Sequence, residues 1–154
     1  MADVAAKAGL GQLEATLNEY FGKKAPALPA NIKEVIVKIA PWLTVLGVVL
    51  SIPALLTLLG LGGLVAVTSP LAGVEGVKAG WGYMVSMVFL VVIVVLEGLA
   101  IPGLFARSRK GWTLIYYSVL VNVVSSIITL NIIGAALSLL VGGYFVFQVR
   151  EYYK

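Results

Sequence analysis

Charged residues in this chain fall into a few short clusters, and the apolar runs between them set the length of every expected element. From Trp112 to Val149, 38 residues pass without one charged side chain, and Arg150 closes the run. As a single helix that stretch would reach about 57 Å, nearly twice the ~30 Å hydrocarbon core of a bilayer. The pattern therefore predicts a transmembrane hairpin, with a span over about 112–130, a tight turn near Asn131 and a return span over about 132–149. A second uncharged stretch, Ile39 to Val74, places a span over about 42–64, and Trp81 to Phe105 places one over about 81–105. Within the first of these, Pro53 deprives the carbonyl of Val49 of its usual donor. Gly60, Gly62 and Gly63 permit close approach of another helix. Thr68-Ser69-Pro70 and Gly73 to Gly80 read as the connecting loop.

Ahead of the spans the pattern changes. Ala6, Leu10, Leu13, Leu17, Tyr20 and Phe21 share a 100° arc at helical periodicity, which predicts an amphipathic helix over about 3–22. Such a helix suits an interfacial anchor, a docking element for a partner, or packing on the protein's own cytoplasmic end. Gly22 to Pro29 is a linker, with two prolines and a glycine set against helix continuation. Asn31 then resembles an N-cap with Glu34 as its capping-box partner, and a surface helix follows over about 32–39. Pro41 marks a bend or the first turn of a new helix. The expected fold is an all-α integral membrane protein: a cytoplasmic amphipathic segment at 1–38, then a four-transmembrane-helix bundle at 39–154.

Composition narrows the chemistry. The chain is 60% hydrophobic and 12% charged, with a mean hydropathy of +1.03, against about 25% charged residues in soluble domains. It contains no cysteine and no histidine. Disulfides, thiolate or imidazole metal sites, haem ligation by those residues and Ser-His or Cys-His catalysis are therefore excluded. No phosphate-binding loop, dinucleotide fingerprint or zincin motif is present. No catalytic residue, cofactor or metal is expected, and the chain reads as a non-enzyme.

The net charge of +4 reports orientation and not nucleic-acid binding. Lys23, Lys24, Lys33, Lys38, Arg107, Arg109, Lys110, Arg150 and Lys154 fall on one side of a four-span chain, and Lys78 on the other. Both termini are thus expected on the cytoplasmic side of an inner (cytoplasmic) membrane. Residues 1–30 lack the basic start and apolar run of a signal peptide, so the first span is expected to act as an uncleaved anchor.

Four groups of residues are candidates for function. Glu97 is the one charge inside an expected span, at roughly 2.5–3.5 kcal/mol on insertion scales, which makes it a proton- or ion-site candidate by default. A structural reading lets it reach toward Arg107, Arg109 or Lys110, which begin ten residues later. Ser118, Asn122, Ser125, Ser126 and Thr129 form a polar stripe, suited to a hydrated path or to bonds across a helix interface. Gly134, Ser138 and Gly142 form a small-residue ladder for helix packing. Arg107, Arg109 and Lys110 are placed to meet anionic lipid headgroups.

In size and span count the chain resembles the small multidrug-resistance transporters, four-helix dimers built around a membrane glutamate. Their glutamate belongs to the first span; the first span here holds no acid, and the long N-terminal segment is foreign to them. The functional expectation is an accessory, scaffold or assembly component, embedded in lipid as a homo-oligomer or within a membrane-protein complex. The alternative is a small proton- or cation-coupled transporter or channel using Glu97.

Overall fold

The computed structural model describes the backbone of all 154 residues and every side chain except those at 63, 65–67, 69 and 72. Helix α1 runs Ala2–Leu17 and continues into a wider π-type turn, Asn18–Lys24. Helices α2 (Ala30–Thr68), α3 (Gly73–Phe105) and α4 (Arg109–Ile128) follow. The last rod, Ile132–Gln148, consists of α5 (Ile132–Leu137), a π-type turn (Ser138–Gly142) and α6 (Gly143–Gln148). No strand occurs among the described residues. Three helices, α2 to α4, are long and apolar enough to cross a membrane, and they mark the chain as a membrane protein. Large apolar side chains such as Leu50 and Leu99 lie open on the outside, at 65% and 63% exposure. Water would oppose that surface; lipid tails accept it.

Helix α2 is continuous where the sequence predicts a surface helix over 32–39, a bend at Pro41 and a separate span. Each proline removes one backbone donor, and a helix flanked by other apolar helices tolerates that loss. The hydroxyls of Thr44, Ser51 and Thr57 donate to the carbonyls of Ala40, Gly47 and Pro53, at 2.8–2.9 Å, so none is left unpaired in the apolar run. The start also differs. Pro29, not Asn31, offers the capping carbonyl, accepting from the amides of Ile32 and Lys33 at 3.0 Å. At the far end the expected loop over Gly73–Gly80 is helical. A short 3-10 turn, Ser69–Ala72, and Gly73 at φ 71° reverse the chain, and α3 begins there. At 39 and 33 residues, α2 and α3 reach about 58 and 50 Å, so both project beyond a hydrocarbon core.

The hairpin stands where the apolar run places it. Thr129 ends α4, Leu130 adopts φ 57°, and Asn131 caps the last rod by accepting from the Gly134 amide at 2.9 Å. Two bonds fix the antiparallel register: Trp112 Nε1 donates to the Val146 carbonyl at 2.7 Å, and Ser138 Oγ donates to Asn122 Oδ1 at 2.6 Å. At the opposite turn, α3 and α4 cross almost backbone to backbone. A Cβ on Gly103 would lie 2.7 Å from Gly111 Cα, so glycine is required there.

The densest packing lies at the end of the bundle that carries Arg107, Arg109 and Arg150, here termed the basic end. Val37, Ala100, Leu104, Trp112, Tyr116, Phe147, Val149 and Tyr153 form one buried cluster, and Leu17 and Phe21 from the N-terminal segment pack onto it. The Phe21 ring sits where a side chain at Gly143 would be, 3.3 Å from its ideal Cβ. Gln148, 2% exposed, ties the segment down. Its Nε2 donates to the Phe21 carbonyl at 2.7 Å, and its Oε1 accepts from the Leu28 amide at 3.1 Å.

Candidate functional site

Glu97 stands on the face of α3 that looks across a groove toward α4 and the last rod. The groove encloses about 150 Å³ and is lined by Glu97, Ser118, Asn122, Ser138, Val119 and Gly142, with Ile93 one turn away. Gly47 of α2 approaches from the other side: an ideal Cβ there would lie 4.0 Å from Glu97 Oε2. The carboxylate makes no hydrogen bond or ion pair among the described residues. Eight residues, about 12 Å along the helix, separate it from Phe105, so it sits well inside the apolar segment.

This groove brings together residues from three of the four candidate groups. The polar stripe divides. Ser118 and Asn122 line the groove, Ser118 Oγ donating to the Ile115 carbonyl at 2.9 Å. Farther along, Ser125, Ser126 and Thr129 lie outside the groove, at the hairpin end: Thr129 Oγ1 donates to the Ser125 carbonyl at 2.9 Å, and the Asn131 backbone amide donates to the Ser126 carbonyl at 2.7 Å. The small-residue ladder divides as well. Gly142 admits Val119 of α4, whose methyl would lie 3.3 Å from a Cβ, and Ser138 bonds Asn122. At Gly134 the nearest atoms to an ideal Cβ belong to the side chain of its own cap, Asn131.

The two arginines of the basic loop form ion pairs with carboxylates of the N-terminal part of the chain, and the Arg107 side chain stays exposed. Arg107 Nη2 meets Glu34 Oε1 at 2.6 Å. Arg109 pairs with Glu14 and lies 4.1 Å from the centre of the Trp112 ring. Both arginines thus hold carboxylates of the N-terminal part of the chain, which removes them as counter-ions for Glu97. Lys110 remains exposed, in a shallow depression with Thr113 and Leu114.

Around Glu14 a second polar site appears that hydropathy alone does not announce. Glu14 Oε1 also accepts from Arg150 Nη2 at 2.7 Å, so one carboxylate oxygen bridges two guanidinium groups from opposite ends of the hairpin. Lys33 Nζ pairs with Glu151 at 2.9 Å. Tyr144 and Tyr152 donate to the Pro26 and Ala30 carbonyls, at 2.7 and 3.4 Å, holding the linker. Burial raises the pKa of the Tyr153 hydroxyl above its ordinary value, against a smaller opposing effect of Arg107. The available signal was Gln148 near the end of an apolar run, two residues before Arg150-Glu151.

No protein-family model, curated protein or solved structure matches the chain.

Proposed function

We propose that this chain is a small, non-enzymatic four-span membrane protein that binds and releases a proton or small cation at Glu97 as part of moving it across the bilayer. The observation that carries the reading is an acid deep in an apolar helix, facing a groove of hydroxyl and amide groups, with its nearest basic loop occupied elsewhere. An intramembrane carboxylate is costly, and ligand or proton exchange is a standing reason for keeping one. The fourth span in this reading is Ile132–Gln148, whose 17 residues give about 26 Å and cross with slight local thinning. The positive-inside bias supports a cytoplasmic basic end and cytoplasmic termini in this reading. In proteoliposomes, the wild-type chain should support pH-dependent proton or cation flux, and Glu97→Gln should abolish it while leaving the helical content intact. Equal flux in the two proteins rejects the site.

A second reading, an accessory or scaffold component, draws on a different observation. Helix α2 packs chiefly against α3, and its outer face carries Leu43, Leu46 and Leu50, all exposed to the surroundings. That face suits a second copy or a partner's helix as well as lipid. Purification in mild detergent discriminates between the two: an obligate oligomer or complex without flux favours the scaffold, and a monomer with flux rejects it.

A further inference from the structure

The basic end contains a cavity of about 410 Å³, separate from the Glu97 groove, between the N-terminal segment and the ends of α2, α4 and the last rod. Four cationic side chains from four different elements border it: Lys23, Lys33, Arg109 and Arg150. Two carboxylates partner them, Glu14 shared by Arg109 and Arg150, and Glu151 on Lys33. Four positive charges against two negative leave the cavity with a formal excess of two. Lys23 has no ion pair among the described residues, because the neighbouring Lys24 takes Glu19 at 2.9 Å. The Nε of Arg150 is buried and has no hydrogen-bond partner there. That Nε lies beneath the surface, so what the cavity presents to a ligand is its uncompensated positive charge, which favours an acceptor-rich anion.

The geometry points to this cavity as a binding site for a phosphoryl group, with the unpaired Lys23 as its principal ligand and Lys33, Arg109 and Arg150 supplying the surrounding positive charge. A phosphate monoester carries close to two negative charges at neutral pH and accepts several hydrogen bonds at once, matching the charge excess. The volume exceeds one phosphate, so an esterified group fits. The cavity lies at the basic end, beyond the apolar stretches of the helices, so the phosphoryl group has two possible sources. One is a phosphatidic-acid headgroup from the membrane; the other is phosphate or a phosphorylated solute from the water phase. The site is independent of the Glu97 reading and shares no residue with it.

The test uses the full chain in detergent and in phosphatidylcholine nanodiscs. Inorganic phosphate is titrated against chloride at matched ionic strength, with thermal unfolding as the readout. In parallel, nanodiscs with and without phosphatidic acid are compared, and retained lipid is counted by native mass spectrometry. Saturable stabilisation by phosphate identifies a soluble source, and selective retention of phosphatidic acid a lipid one. In either arm Lys23→Gln, at an exposed position, should weaken binding roughly fivefold, the effect of about one interfacial basic residue. Lys110→Gln, on the same end but outside the cavity, should leave it unchanged. A response to neither ligand, or equal effects of the two substitutions, overturns the assignment.

Discussion

Ser138 Oγ donates to Oδ1 of Asn122 at 2.6 Å, and this bond crosses the hairpin one turn from the place where Gly142 admits Val119. The two contacts hold the same helix pair by different physics. A side-chain hydrogen bond within a membrane bundle averages about 0.6 kcal/mol, because the separated helices find other partners. Overpacking a close contact costs about 1–3 kcal/mol. Gly142→Leu should therefore destabilise the bundle more than Asn122→Leu does. Unfolding in mixed micelles measures both, and a larger effect at Asn122 would show that polar bonding governs this interface.

Gln148 is the point at which the N-terminal segment is fastened. Replacing it with Leu keeps the volume but leaves the Phe21 carbonyl and the Leu28 amide without their partner. Each unsatisfied buried group costs about 1–3 kcal/mol. Gln148→Leu should free residues 18–29, read as faster proteolysis near Lys23 and Lys24, while the membrane helices keep their helical signal. Unchanged cleavage would mean that the Glu14 bridge to Arg109 and Arg150 suffices.

Tyr153 links the same junction to pH. Its hydroxyl holds its proton to higher pH in the folded state than in the unfolded chain, because it is buried. The unfolded state then loses the proton first, so the contribution to stability is complete below about pH 10 and falls as pH rises above it. Thermal unfolding between pH 8 and 11 should show a steeper alkaline decline in wild-type protein than in Tyr153→Phe. Parallel profiles would assign the decline to other groups.

Topology is open to direct measurement because the chain has no native cysteine. Single cysteines at Asn131 and at Ser108 occupy opposite ends of α4 and its turns. In intact cells the first should react with an impermeant thiol reagent and the second only after lysis. Reaction of both from outside would defeat the four-span arrangement.

Hydropathy alone was enough to establish the helical class, the apolar runs and the turn at Asn131. Each rests on a local cost: a charge or an open backbone group in hydrocarbon is expensive wherever the chain goes. Glu97 was legible for the same reason, as a violation of that rule. Helix boundaries around Pro41 and over Gly73–Gly80 were not, since one lost donor or a few glycines weigh little against continuous packing with a neighbour. Only the tertiary structure decided that Ser118 and Asn122 join Glu97 in one groove while Ser125, Ser126 and Thr129 lie outside it, because periodicity places residues on a face without saying what faces them. It alone brought Glu14 between Arg109 and Arg150, residues 95 and 136 positions away. Charge pairing across such distances depends on how helices stack, and the composition of each helix carries no record of it.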